Sequence, residues 1–323
     1  MGNTLLRSFN AIPAFYSFLT GTFLGRTTAF GLPLSAGIEL TNHCNLRCPE
    51  CNSGSGLMTR NRGYMSVSLF DKIIRELGPF LYNMNLYFQG ESMMHPEFFL
   101  FLDRCRSINT TLSTNGHFLS LENSEKIVRS GLNKLIISLD GMDPETYSSY
   151  RVNGNYARVM QGIRNIAETK KRSSSGLKLI IQFLVNRNNE GQIQAVVDFA
   201  RGVNASLHLK SMQIVNDGSF ESWLPSIGRY SRYKKETDGY KIRSNLPDRC
   251  LRLWFNPVIT WDGKVIPCCF DKNADHEMGD MNKESFKLIW NRPEYRSFRK
   301  KVNLSRRSID ICRNCNSGLF RLS

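Results

Sequence analysis

The segment Cys44-Asn-Leu-Arg-Cys48-Pro-Glu-Cys51 constrains this chain more than any other. Three thiols at intervals of three and two residues make a poor apolar core and a good ligand set for a metal cluster. Three thiolates can hold three irons of a cubane and leave the fourth iron without a protein ligand, open to a substrate or cofactor. Zinc is the competing reading, but zinc loops usually bring paired C-x2-C knuckles whose four ligands close a tetrahedron. The segment directly follows an apolar, strand-like run at residues 35–40.

A C-x3-C-x2-C loop behind a first strand resembles the signature of the radical S-adenosylmethionine (SAM) superfamily. The resemblance implies that the open iron of a [4Fe-4S] cluster chelates the amino and carboxylate groups of SAM. An electron from the cluster would then break the sulfonium bond, and the resulting 5′-deoxyadenosyl radical would take a hydrogen atom from a substrate.

A chain of 323 residues can bury one large domain and a smaller one. Seven of its nine cysteines group as the loop above, as Cys268-Cys269 and as Cys312-Arg-Asn-Cys315. Such grouping belongs to metal ligation in a reducing compartment, so the cytoplasm is expected. The net charge of +15 raises nucleic acid, an anionic membrane or an acidic peptide as partners. No Lys/Arg run is interleaved with aromatics in an RNA- or DNA-binding motif, so nucleic acid is not expected. A non-enzymatic zinc or iron-sulfur protein that binds nucleic acid stays as the competing class.

Four regions emerge along the chain. Residues 1–34 are apolar and aromatic, with Arg7 and Arg26 as flanks and no stretch long enough to span a bilayer. They read either as a helix packed on the main domain or as an in-plane anchor peripheral to the inner face of the membrane. Residues 35–215 alternate strand-like runs (35–40, 84–89, 110–114, 134–139, 177–185, 206–212) with helical patterns (66–77, 97–106, 124–130, 155–171, 190–202). This predicts an α/β fold, a partial (β/α)6 TIM-like barrel with its site at the carboxyl ends of the strands. Residues 216–249 read as a linker or a substrate-covering segment, and residues 250–323 as a small C-terminal β-hairpin and helix domain holding iron and sulfur.

Within the barrel, Gln89-Gly90-Glu91-Ser92 resembles the family's Gly-Gly-Glu-Pro segment, departing from it at Gln89 and Ser92. The resemblance implies contacts to the SAM amino group from the backbone and Glu91. It likewise implies cofactor contacts from Asn115 in the turn Ser113-Thr114-Asn115-Gly116, from Ser138 and Asp140 at the end of strand four, and from Arg151. A guanidinium suits the SAM carboxylate because it donates two parallel hydrogen bonds. Asn186, after strand five, would face the adenine or methionine part. His95, His117 and His208 read as structural, and no catalytic acid or base is assigned.

In the last region, Asp262-Gly263 between 256–261 and 264–267 signals a hairpin. It would bring Cys268 near Cys250, with Cys312 and Cys315 arriving after a helix at 285–290. Four thiolates would close one site, for which zinc is physically as suitable as iron. The arrangement is similar to the Twitch form of the SPASM domain, which implies an auxiliary [4Fe-4S] cluster on Cys250, Cys268, Cys312 and Cys315. One auxiliary cluster is expected, because the further cysteines of the full pattern are absent. Cys269 is either spare or a replacement for Cys268, and Cys105 reads as a small buried residue.

These readings converge on a radical SAM oxidoreductase that modifies a small molecule or peptide with help from an auxiliary cluster and a reducing partner such as flavodoxin or ferredoxin. Residues 1–34 are too short for a peptide-recognition domain, which points away from leader-dependent peptide maturation.

Overall fold

The computed structural model describes residues 2–315. After helix α1 (Gly2–Leu24) the chain runs β1 (Ser35–Ile38), the single turn α2 (Asn52–Ser55), α3 (Val67–Leu77), β2 (Asn83–Asn85), α4 (Phe98–Arg104) and β3 (Thr110–Thr114). It continues with α5 (Leu121–Arg129), β4 (Lys134–Ser138), α6 (Pro144–Tyr150), α7 (Tyr156–Arg172), β5 (Lys178–Val185), α8 (Ile193–Gly202) and β6 (Ser206–Ser211). The six strands pair in chain order and all in parallel, as the alternation of patterns requires.

The pleat sorts side chains between two environments. In β5, Leu179, Ile181, Phe183 and Val185 are buried on one face, while Gln182 and Leu184 are half-buried on the other. Helices cover the apolar face with stripes such as Leu69, Phe70, Ile73 and Leu77 of α3 and Val159, Ile163 and Ile166 of α7. The start of α3 is set by Ser66, whose hydroxyl accepts from Leu69 N–H.

Residues 216–249 form α9 (Phe220–Trp223) and an antiparallel hairpin of β7 (Tyr233–Glu236) and β8 (Gly239–Ile242). Phe220, Leu224 and Tyr233 pack in one cluster with Leu46, Cys48 and Tyr150, so this segment lies against the cysteine loop. Then come α10 (Arg252–Phe255), β9 (Val258–Ile259), β10 (Lys264–Ile266), β11 (Gly279–Asp280), α11 (Phe286–Ile289) and α12 (Pro293–Ser305). The Asp262-Gly263 turn does join an antiparallel pair, with Gly263 at a φ of 89°.

The pairing of β9 was not expected. It runs parallel to β1, with Gly37 opposite Val258, and the C-terminal hairpin therefore continues the barrel's own sheet to nine strands. Gly37 leaves room for this, since a Cβ there would meet the Val258 side chain at 3.1 Å. A buried ion pair fastens the same seam. Arg60 forks onto Glu39, its Nε donates to Lys272 O at 3.0 Å, and Trp261 N–H donates to Glu39 as well.

Helix α1 packs on α10 and α12. Phe15 and Phe18 touch Phe255 with ring centroids 4.9 and 5.9 Å apart. Its most buried residues are small or polar: Asn10, Ala14, Ser17, Thr20 and Gly21. No helix among the described residues is long and apolar enough to cross a membrane.

Candidate active site

The cysteine loop leaves β1 and turns through α2, whose Gly54 is held so close that a Cβ would lie 2.6 Å from Cys48 N. Cys44, Cys48 and Cys51 line one cavity of about 100 Å³ together with Gly90, Glu91, Ser113, Thr114, Asn115, Ser138 and Arg151. These residues come from the ends or following loops of β1, β2, β3 and β4, which is where a barrel of parallel strands gathers its site.

N–H groups point at the sulfurs. Leu46 N–H donates to Cys44 Sγ at 3.4 Å, and Arg151 Nη1 approaches Cys48 Sγ at 3.8 Å. Burial pushes the Cys44 thiol up to about 12, and it raises Cys48 against the pull of Arg151. Such thiols lose their protons to a metal, which stabilises the thiolate. Three free thiols in one walled cavity, with donors aimed at the sulfurs, fit a cluster that takes three protein ligands.

Glu91 is 2% exposed. Its carboxylate accepts from Asn115 N–H at 2.7 Å, Thr114 Oγ1 at 2.9 Å and Met93 N–H at 3.2 Å, while burial raises its pKa. The segment before it is pinned by Gly90, which has a φ of 76° and leaves no space for a Cβ beside Asn42 and Thr41.

Of the seven cofactor residues expected, Gly90, Glu91, Asn115, Ser138 and Arg151 line the cavity, and Gln89 and Asp140 do not. Gln89 accepts from Ser53 Oγ and so braces α2. Asp140 is fully buried behind Arg151, taking Arg151 Nε at 2.6 Å and Leu184 N–H at 2.7 Å. Both position other residues. Asn186 is also turned away: its side chain closes a local turn with Asn188 N–H and Leu184 O. Ser53 and Gly54 line the cavity without having been singled out, because a serine and a glycine after Cys51 carry no spacing signal.

His95 and His117 both have their ring nitrogens partnered within the protein. The ring nitrogens of His95 meet Met65 O and Glu97 N–H, and those of His117 meet Asn115 Oδ1 and Asn155 N–H. Cys105 is buried against Met84.

The second cysteine group also assembles. After burial, the charges that act on Cys268 are those of Cys269, Cys250 and Cys315, and on Cys312 those of Cys250, Arg306 and Cys315. Arg306 Nη2 donates to Cys315 Sγ at 3.4 Å. Cys269 turns elsewhere: Arg252 Nη1 donates to it at 3.3 Å, and it packs with Phe88, Val258, Ile266 and Ala274. Among the described residues, no three His, Cys, Asp or Glu side chains close on a single-ion position. Ligands of a cubane each bind a separate iron.

Two lysines lie close to Cys269. Lys210 at the end of β6 is lowered by burial, and the charges acting on it are Cys269, Arg252 and Arg232. Lys272 is lowered likewise, with Cys51, Arg232, Cys269 and Glu50 as its charged neighbours.

Two family models match this chain. One, described as the Radical SAM superfamily, matches residues 38–200, just over half of the chain. The other, described as an iron-sulfur cluster-binding domain, matches residues 250–316. The mycofactocin maturase MftC of Mycobacterium ulcerans is 27% identical over 187 residues, which are 56% of this chain and 48% of that protein. A probable GTP 3′,8-cyclase of Methanosarcina mazei is 27% identical over 275 residues, 76% of this chain and 80% of that protein. The match spans about half the length of several such relatives, 48% of the maturase and 57% of the corresponding cyclase of Methanocaldococcus jannaschii. Among solved structures, Streptococcus suis SuiB bound to S-adenosylmethionine aligns with a TM-score of 0.64 at 15% identity, covering 89% of this chain and 73% of that one. BtrN in complex with AdoMet and 2-DOIA aligns with a TM-score of 0.55 at 18% identity, covering 88% and 94%. At these identities the structural likeness is one of fold.

Proposed function

We propose, from the premise that this chain belongs to the radical SAM superfamily, that it oxidatively modifies an anionic small-molecule or peptide substrate held between two [4Fe-4S] clusters. Cys44, Cys48 and Cys51 hold the cluster that binds SAM, and Cys250, Cys268, Cys312 and Cys315 hold the auxiliary one. The observation that carries this reading is the single cavity that joins the three loop thiols to Glu91, Ser138 and Arg151.

When bound, cluster and SAM supply a 5′-deoxyadenosyl radical that takes a hydrogen atom from the substrate. The protein's part is orientation. Glu91, fixed by three donors, offers its carboxylate to the SAM amino group. Arg151 and Ser138, which line the same cavity, receive the SAM carboxylate. The donor to Cys315 from Arg306 favours negative charge at the second thiolate group, which suits a site that accepts an electron from substrate. A low-potential donor of the flavodoxin or ferredoxin type provides the electron for SAM cleavage.

Lys210, Lys272, Arg232 and Arg252 support a substrate with carboxylate or phosphate groups. The relatives include a maturase of mycofactocin and a GTP cyclase, and SuiB has also been solved with its precursor peptide SuiA. Peptide and small-molecule chemistry therefore both belong in the substrate search. The test is anaerobic incubation of the reconstituted protein with SAM and dithionite. 5′-Deoxyadenosine should form with the wild type and not with Cys48→Ala; formation in both would overturn the assignment of the loop.

A further inference from the structure

Helix α1 is seated with its apolar stripe facing out. Leu5, Phe9, Ile12, Tyr16, Leu19 and Phe23 recur at alternating spacings of four and three residues, which places them on one helical face. They are between 49% and 73% exposed. Phe30, 54% exposed and 5.7 Å from the Tyr16 ring, widens the patch, and Leu304 on the neighbouring α12 is 70% exposed.

The helix is fixed in this orientation by hydrogen bonds on its other side. Asn10 exchanges two with the Leu32 backbone, Phe30 N–H donates to Ser17 Oγ, and Asn303 Nδ2 donates to Gly21 O. At Gly21 a Cβ would lie 2.3 Å from the Trp254 ring, so the small face is also the one that fits. Rolling α1 to bury its stripe would break all of these contacts.

Charge selects the occupant. The first 38 residues contain Arg7 and Arg26 and no Asp or Glu. Arg26 is exposed, and α12, which packs on α1, exposes Arg296, Lys300 and Lys301 against one acid, Glu294. A second copy docking through the same face would bring these cations together in a chain of net charge +15. An anionic bilayer surface instead takes the apolar stripe at the headgroup boundary and attracts the flanking cations. Although it is 23 residues long, α1 is not apolar enough to cross a membrane.

We propose that α1 lies in the plane of an anionic phospholipid surface, with Leu5, Phe9, Ile12, Tyr16, Leu19 and Phe23 inserted and the cations of α12 beside them. The test is flotation of the full, cluster-loaded chain with phosphatidylcholine vesicles, with and without phosphatidylglycerol. The chain should float with the anionic vesicles, bind them less as salt rises, and lose at least about tenfold in affinity in the double variant Phe9→Glu and Ile12→Glu. That variant should keep its unfolding temperature and its 5′-deoxyadenosine release in solution, since both side chains are exposed. No flotation with anionic vesicles, or equal binding by the variant, would overturn the proposal. So would a wild-type dimer in sedimentation that the double variant dissociates, because a second copy would then cover the face.

Discussion

Arg151 Nε donates to Asp140 Oδ2 at 2.6 Å, and the same guanidinium sends Nη1 to within 3.8 Å of the Cys48 sulfur. One side chain thus ties the end of β4 to the cysteine loop. The pair is nearly sealed, with side chains 14% and 0% exposed. A cation held this way is already aimed at the cavity before any ligand arrives.

Replacing Arg151 by alanine would strand a buried Asp140 charge and cost about 3–5 kcal/mol in stability, which would confound a binding test. Arg151→Lys keeps the charge and loses the fork. It should fold while binding SAM at least about tenfold more weakly, a loss of about 1.4 kcal/mol. Equilibrium dialysis checks this, and an unchanged affinity in the folded variant would remove Arg151 from the site.

Gly54→Ala would push a methyl group into the backbone of Arg47 and Cys48. Because the neighbours are backbone atoms, the loop must shift, moving a thiol ligand. Iron analysis after reconstitution should show about four irons fewer than the wild type, the content of one cubane. Full iron content would mean that the loop absorbs the methyl group.

The barrel was legible in the sequence because β4 and β5 carry buried runs of Ile, Leu and Val and its helices keep a helical period, signals that are local. The loop thiols were legible from their spacing, and Glu91 from the resemblance of its segment to the family's Gly-Gly-Glu-Pro. What was not legible depends on distance or on choice of face. Asp140 and Arg151 are eleven residues apart, and nothing local says that one stands behind the other. The pairing of Gly37 with Val258 joins segments more than two hundred residues apart. In α1 the period reveals an apolar face, but the side that packs is decided by Asn10, Ser17 and Gly21.

At the second site, Cys269 accepts from Arg252 and packs against Val258, Ile266 and Ala274. Cys269→Ser should therefore keep the iron that Cys268→Ser loses, about four per chain. Equal losses in both variants would make Cys269 a ligand, and loss of zinc in place of iron would identify the second metal as zinc.

Burial lowers the pKa of both His95 and His117 from the ordinary value of about 6.5. Their neutral rings therefore stabilise the fold above about 6.5, and that contribution is lost as pH falls through the folded-state values. The unfolding temperature of the wild type should drop more between pH of about 7.5 and 5.5 than that of His95→Gln. Parallel losses would contradict a neutral His95.

The central claim is that one chain carries two cubane clusters with separate ligand sets, and iron and sulfide content after anaerobic reconstitution tests it most directly. The wild type should hold about eight of each per chain, and Cys312→Ala about four, with 5′-deoxyadenosine still formed from SAM. A wild type with about four irons, or a Cys312→Ala variant that keeps all of its iron, would contradict it.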